Sequence, residues 1–472
     1  MSEIGREWLH NPAGLGARLP QGFTMGVATS AFQIEGGIED GGREPSTWDT
    51  FMAQPGRILD GSNASIATDH YHRFGEDVSL MRELGVDSYR FSLSWPRLQP
   101  GGKGAVNRAG LAFYDRLVDE LLAAGIRPMA TLFHWDTPEP LQHTGGWLRR
   151  DTAYRFAEYA FLAGEAFGDR IDSWVTINEP ATVTLNGYAL GVHAPGATLL
   201  FDALPSAHHQ LLGHGLAVAA LRDADVTGAI GITNVHSPVQ PAGDREEDAL
   251  FASLFDILHN RIFADPVLLG RYPEIPEPFE DLFAFSREID PDDYAIISAP
   301  LDFYGLNYYM PTRIAAGSPD TADSPDGESD AMRHLPFSLM PWPEYPTTGF
   351  GWPVAPEFLR VTLEELAERY GDALPPVVIT EGGASFPDVR DKDGTVDDEA
   401  RIRYLAAHLE AAIESVPGVD LRGYFVWSLL DNWEWAAGFS QRFGLVHVDF
   451  ETQDRTPKSS YTWLQSMIGG RS

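Results

Sequence analysis

The sequence predicts an α/β protein built as a single (β/α)₈ TIM barrel, with long loops at the C-terminal ends of its strands. Three observations predict it. Short apolar runs rich in Val, Ile, Phe and Tyr recur eight times along the 472 residues. Amphipathic stretches with apolar residues three and four positions apart lie between them, which is helix periodicity. No linker interrupts the alternation, so residues 1–472 read as one domain. Strand and helix alternating eight times is the pattern of a closed parallel sheet covered by helices, and such barrels commonly exceed 400 residues.

Taken in order, the expected strands are residues 23–28, 88–93, 128–133, 173–178, 229–233, 303–308, 377–381 and 423–428. The first leads into Ala31-Phe32-Gln33-Ile34-Glu35-Gly36. The second carries Arg90 between Tyr89 and Phe91. A helix over 109–124 precedes the third, which ends on His134-Trp135-Asp136, and a helix over 153–167 precedes the fourth. The fourth stops at Asn178-Glu179-Pro180, because proline cannot continue the ladder. The seventh stops at Glu381-Gly382-Gly383, where two glycines permit a sharp turn. Residues 312–348 are rich in Pro, Ser, Asp and Gly and read as a long surface loop between the sixth and seventh strands. The acidic stretch 244–248 reads as a solvated face.

Composition removes several functions. Asp and Glu number 68 against 34 Lys and Arg, a net charge of −34, with only Lys103, Lys392 and Lys458 supplying ammonium groups. Such a field repels phosphate backbones and anionic lipid, so neither nucleic acid nor a membrane surface is an expected partner. There are no cysteines, which excludes disulfides, thiolate metal sites and cysteine nucleophiles. The chain begins without the apolar core of roughly 7–15 residues that a secretory signal needs. Nor does it contain the roughly 18 unbroken apolar residues of a membrane span. A cytoplasmic location is expected. His208, His209 and His214 lack the spacing of a helical zinc pair, and neither a phosphate loop nor a Gly-x-Ser-x-Gly elbow occurs. Neither metal nor cofactor is expected, and a homo-oligomer stays open.

Chemistry points elsewhere. Glu179 and Glu381 close the fourth and seventh strands, so both belong to the barrel mouth, where catalytic groups gather. Opposed across the mouth, two carboxyl groups can flank one glycosidic bond, one protonating the leaving oxygen and the other attacking the anomeric carbon. Arg90, among apolar neighbours, needs a carboxylate partner. Beside Glu381 it would keep that group ionised, while Glu179 would feel the opposing charge and hold its proton. The segment Trp427-Ser428-Leu429-Leu430-Asp431-Asn432-Trp433-Glu434-Trp435 clusters indoles with acids and amides. Sugars are bound this way, by C–H faces against rings and hydroxyls against carboxylates. Singly, each motif also has an ordinary structural reading: His134 as a satisfied core histidine, Gln33 as polar surface, the tryptophans as packing.

Together these segments resemble the family 1 glycoside hydrolases, the β-glucosidase family, over about residues 23–449. The stretch from Phe23 through Gly36 is similar to the family's N-terminal signature, and Thr176-Ile177-Asn178-Glu179-Pro180 to its acid/base strand. The resemblance implies Glu179 as acid/base and Glu381 as nucleophile, supported by Arg90, Tyr309 and Asn307. It implies Gln33, His134, Trp135, Asn178, Glu434, Trp435 and Phe443 as sugar-binding residues, with Trp427 as the floor beneath the glucosyl unit. The implied reaction is hydrolysis with retention of terminal β-D-glucosyl residues, from aryl glucosides or cellobiose-like fragments of cellulose. Gly382 and Trp433 depart from the family pattern, which usually has Asn and Phe there. Val235 departs by lacking an amide beside the acid/base, with an expected effect on leaving-group preference. Two other classes are weighed: a catalytically silent sugar binder, against which both glutamates stand, and a phospho-glycosidase. Glu434 would repel a phosphate, and no lysine is expected near it.

Overall fold

The computed structural model describes residues 4–318 and 330–471. Eight parallel strands close into a barrel in which sequence neighbours are spatial neighbours and the first strand also pairs with the last. They are Thr24–Ala28, Ser88–Ser92, Arg127–Phe133, Ser173–Asn178, Ala229–Val235, Phe303–Asn307, Val377–Gly382 and Leu421–Trp427, here strands one to eight. The expected fourth run coincides with its strand, and the others differ by one or two residues at their ends.

The barrel has two apolar layers. Inside, Met129, Val175, Phe303, Val378 and Phe425 fill the axis. The Phe425 ring lies so close to strand one that a Cβ on Gly26 would stand 2.3 Å from it, which explains a glycine within that strand. Outside, the opposite faces of the strands pack against the helical ring in one continuous core. Helix Arg108–Ala123 shows how the ring is specified. Asn107 caps it by accepting from Ala109 N at 3.2 Å, and Phe113, Tyr114, Leu117, Val118 and Leu121 form its buried stripe.

Two expectations change. Residues 312–348 are not simply a loop: Thr312–Ala316 and Phe337–Leu339 join Val239–Pro241 in a three-stranded sheet, while residues 319–329 of that stretch lie outside the described residues. The acidic stretch is solvated only at 244–247. Asp248 is buried, because its carboxylate accepts from Arg245 and, at 2.8 Å, from the Ala316 amide, and so ties the small sheet to the helix Glu246–Asp256. Among the described residues no helix is long and apolar enough to cross a membrane.

Candidate active site

Each of the eight strands, or the residues directly after it, delivers a polar or aromatic residue to one end of the barrel. A cavity of about 1540 Å³ opens there, and its wall includes His134, Trp135, Glu179, Tyr309, Glu381 and Trp427. Glu434, Trp435 and Phe443 line it as well. Gln33, Arg90, Asn178 and Asn307 adjoin the wall, each hydrogen-bonded to a wall residue. At the end of strand five the wall is made by the apolar Val235 and the polar His236 and Ser237 that follow it.

Glu179 follows the last residue of strand four in a left-handed conformation, φ 47°, and Pro180 then starts a short helix. Trp135 (φ 77°) and Trp435 (φ 51°) are held in the same region of backbone space. Each such conformation costs on the order of 1 kcal/mol or more for a residue with a side chain. With Leu200 (φ 50°), four at one cavity mark a wall whose side-chain directions are fixed by the surrounding packing. Glu179 is 5% exposed, and its carboxyl accepts from Asn307 Nδ2 at 2.6 Å and Thr182 Oγ1 at 2.7 Å. Burial, and then the charge of Glu381, push its pKa up to about 7.

Glu381 is 3% exposed and has a different environment. Arg90 Nη1 forms an ion pair with its Oε1, and the Tyr309 hydroxyl donates to Oε2 at 2.6 Å. Arg90 in turn donates to Asn178 Oδ1 at 2.6 Å and to Thr131 Oγ1 at 3.1 Å, which satisfies a buried guanidinium on several sides. The strand bearing Glu381 comes close to the end of strand eight. A Cβ on Gly383 would lie 1.8 Å from the Trp427 carbonyl oxygen, so this position has no room for a side chain. At Gly382 the obstacle is the Tyr424 hydroxyl, 2.3 Å from where a Cβ would sit, a local reason for the glycine that stands there.

Asn307 differs from its expected place. Its backbone pairs with Glu381, but its side-chain oxygen accepts from Thr380 Oγ1 at 2.8 Å, and this turns Nδ2 away from Glu381 toward Glu179. The amide missing at Val235 is therefore supplied from strand six. Asn234 does not supply it, because its Nδ2 donates to the Tyr304 hydroxyl at 2.8 Å.

The remaining residues form a compact patch. The Gln33 amide donates to Asn432 Oδ1, the Trp433 carbonyl and Glu434 Oε2 at 3.0–3.2 Å. His134 Nε2 lies 3.1 Å from Asn178 Nδ2, and Trp135 Nε1 donates to the Asn178 carbonyl. Burial and the Arg90 charge hold the His134 imidazole well below its ordinary pKa, so it is neutral and its Nε2 can accept. The rings of Trp135 and Trp435 are 4.4 Å apart, and those of His134 and Trp427 stack at 5.8 Å. Trp433 stands behind them, buried edge-on against Phe32 and Trp48. Burial and the Glu381 charge raise Glu434 to about 8.

Two features were not read from the sequence. Thr182 had a signal, a hydroxyl three residues after a carboxylate at a helix start. Lys458 had none: it belongs to the C-terminal segment, yet its ammonium donates to Asp431, inside the tryptophan-rich motif that was expected to have no lysine nearby. That ammonium is fully buried and committed to Asp431 and Asp388. The three histidines without zinc-pair spacing are engaged as well, His208 with Asp293, His209 with the Trp147 carbonyl and His214 with Thr176.

A parallel barrel whose mouth holds one carboxyl with a raised pKa and a second in an arginine ion pair, beside an indole-lined pocket, defines a glycoside hydrolase of the two-carboxylate type. The model of glycosyl hydrolase family 1 matches residues 15–471, and the chain belongs to that family. It is similar to β-glucosidase A of Thermotoga maritima, 42% identical over 96% of this chain and 98% of that protein. It is 43% identical to a β-glucosidase of an Agrobacterium species, over 98% and 97% of the two chains. Among solved structures, a psychrophilic β-glucosidase from Micrococcus antarcticus superposes with a TM-score of 0.91 at 45% identity, covering 97% of this chain and 99% of that one.

Proposed function

We propose that the protein is a retaining β-glucosidase that removes terminal non-reducing β-D-glucosyl units, with residues 1–472 forming one catalytic domain. In the first step a Glu381 carboxylate oxygen attacks the anomeric carbon. The glycosidic C–O bond breaks, and its electron pair stays on the leaving oxygen, which takes the proton of Glu179. In the second step water attacks the same carbon and gives its proton to Glu179, while the ester bond electrons return to Glu381. Two inversions restore the β configuration. The observation that carries this reading is the asymmetry of the two carboxyl groups: Glu179 held near 7 by burial, Glu381 bound to Arg90 and Tyr309. In the pocket, Gln33, His134, Asn178 and Glu434 are the proposed hydroxyl partners, Trp427 the floor, and Trp135, Trp435 and Phe443 the apolar walls.

The aromatic part of the cavity wall favours aryl glycosides over cellobiose. Phe350 and Trp352 stack at 4.7 Å, with Tyr309 and Phe443 beside them, and Trp342 lies farther along the wall. Three of the polar wall groups are engaged, Arg313 with Glu344, His236 with Tyr304 and His259 with Asn260. Aromatic faces are thus available to stack on an aryl aglycone.

Initial rates on p-nitrophenyl β-glucoside, its 6-phosphate and cellobiose test the proposal. The neutral aryl glucoside is expected to turn over fastest, with the 6-phosphate disfavoured because Arg90 and Lys458 are already committed to carboxylates. Faster turnover of the 6-phosphate, or none of any substrate, would overturn the reading. The acid role also fixes a pH dependence. Glu179 must hold its proton in the free enzyme, so kcat/KM is expected to fall as pH rises through about 7. A profile still rising above pH 8 would exclude Glu179 as the acid.

A further inference from the structure

Lys458 lies beyond the last barrel strand and is 1% exposed. Its ammonium donates to Asp388 at 2.5 Å and to Asp431 at 2.7 Å. Arg401 pairs with Asp388 and, at 3.0 Å, with Asp398, and Arg442 donates to Asp431 Oδ2 at 2.7 Å. Three cations thus face three carboxylates under the barrel mouth, a charge-balanced cluster. Burial opposes charge on Asp431, yet Lys458, Arg442 and Arg401 outweigh it and hold the carboxyl below its ordinary range.

The chain segments this cluster joins are those that build the sugar pocket. Asp431 sits between Trp427, the proposed floor, and Glu434 and Trp435, the proposed grip. Asp388 follows the Glu381 strand, and Arg401 Nη1 donates to the Ala384 carbonyl on that same segment at 2.6 Å. Arg442 and Gly444 flank the wall residue Phe443, and the Gly444 amide donates to Asp431 Oδ1 at 3.0 Å. None of the six charged groups lines the cavity. Well-packed apolar residues could serve stability alone as well as buried ion pairs do, whereas directional charged bonds also fix a register.

We infer that the Lys458–Asp431 pair is a positioning device that sets the 427–435 loop against the glycosyl unit and thereby governs discrimination between glucose and its epimers. The inference rests on the glucosidase reading, in which Glu434 and Gln33 hold sugar hydroxyls. A displacement of this loop by about 1 Å would misalign those bonds without touching the reacting carboxyl groups.

The test uses the full-length protein with Lys458→Met and, separately, Asp431→Asn, which leaves Lys458 paired with Asp388. Kinetics on p-nitrophenyl β-glucoside and β-galactoside are measured well below each variant's melting temperature. The expected result is a KM for the glucoside raised about ten-fold, with kcat changed far less, and a glucoside-to-galactoside ratio of kcat/KM moved toward one. A lowered Tm with unchanged KM and ratio would make the cluster purely structural and overturn the inference. If Lys458→Met does not fold, Asp431→Asn decides by the same two readings. An inactive wild type would remove the glucosidase reading itself, whereas an active wild type with unaltered variants removes this inference alone.

Discussion

Replacing Glu381 by glutamine is expected to lower kcat/KM for p-nitrophenyl β-glucoside on the order of 10⁴-fold or more, because no other group stands ready to form the glycosyl ester. Glutamine keeps the volume and loses the charge. The Arg90 guanidinium, 1% exposed, then faces a neutral amide, and losing one partner of a buried pair typically costs about 3–5 kcal/mol. The bonds of Arg90 to Asn178, Thr131 and the Thr380 carbonyl offset part of that cost. A lowered Tm should therefore accompany the loss of activity, and rates must be compared at a temperature where both forms are folded. Retention of more than a few per cent of activity would mean that the nucleophile lies elsewhere.

Glu179→Ala is expected to separate the two steps. An aryl glucoside with a good leaving group needs little proton donation, so Glu381 is still glycosylated, but the water that should release the sugar has lost its base. Turnover should fall roughly 10²- to 10⁴-fold, with a burst of nitrophenol and a lowered KM as the ester accumulates. Azide needs no deprotonation, so it should restore turnover by attacking the anomeric carbon and returning the ester electrons to Glu381. The product should be a β-glycosyl azide. Cellobiose, a poor leaving group, should gain nothing from azide. An α-azide would reverse the roles given to the two glutamates.

The barrel was legible because its signals are local: apolar runs of strand length, helical periodicity between them, and strand ends marked by Pro180 and by Gly382-Gly383. Glu179 and Glu381 were legible for the same reason, each being the carboxyl at a strand end. What escaped depends on side-chain direction and on distant parts of the chain. Asn307 reaches Glu179 rather than Glu381 because the Thr380 hydroxyl occupies its oxygen, a choice made between strands six and seven. Asp248 reads as one acid among several, yet one backbone amide from the stretch 312–348 buries it. Lys458 was counted as one of three lysines, and its partner Asp431 is set only when the C-terminal segment folds back beneath strand eight.

The central claim is double displacement, in which Glu381 attacks the anomeric carbon from one face while Glu179 serves the leaving oxygen, and then the water, on the other. The anomeric form of the first-released glucose tests it most directly, followed by proton NMR during hydrolysis of p-nitrophenyl β-glucoside before mutarotation mixes the forms. β-Glucose appearing first is the predicted result, because double displacement through Glu381 inverts the anomeric carbon twice. α-Glucose appearing first would mean a single displacement by water, and would contradict the roles assigned to both Glu381 and Glu179.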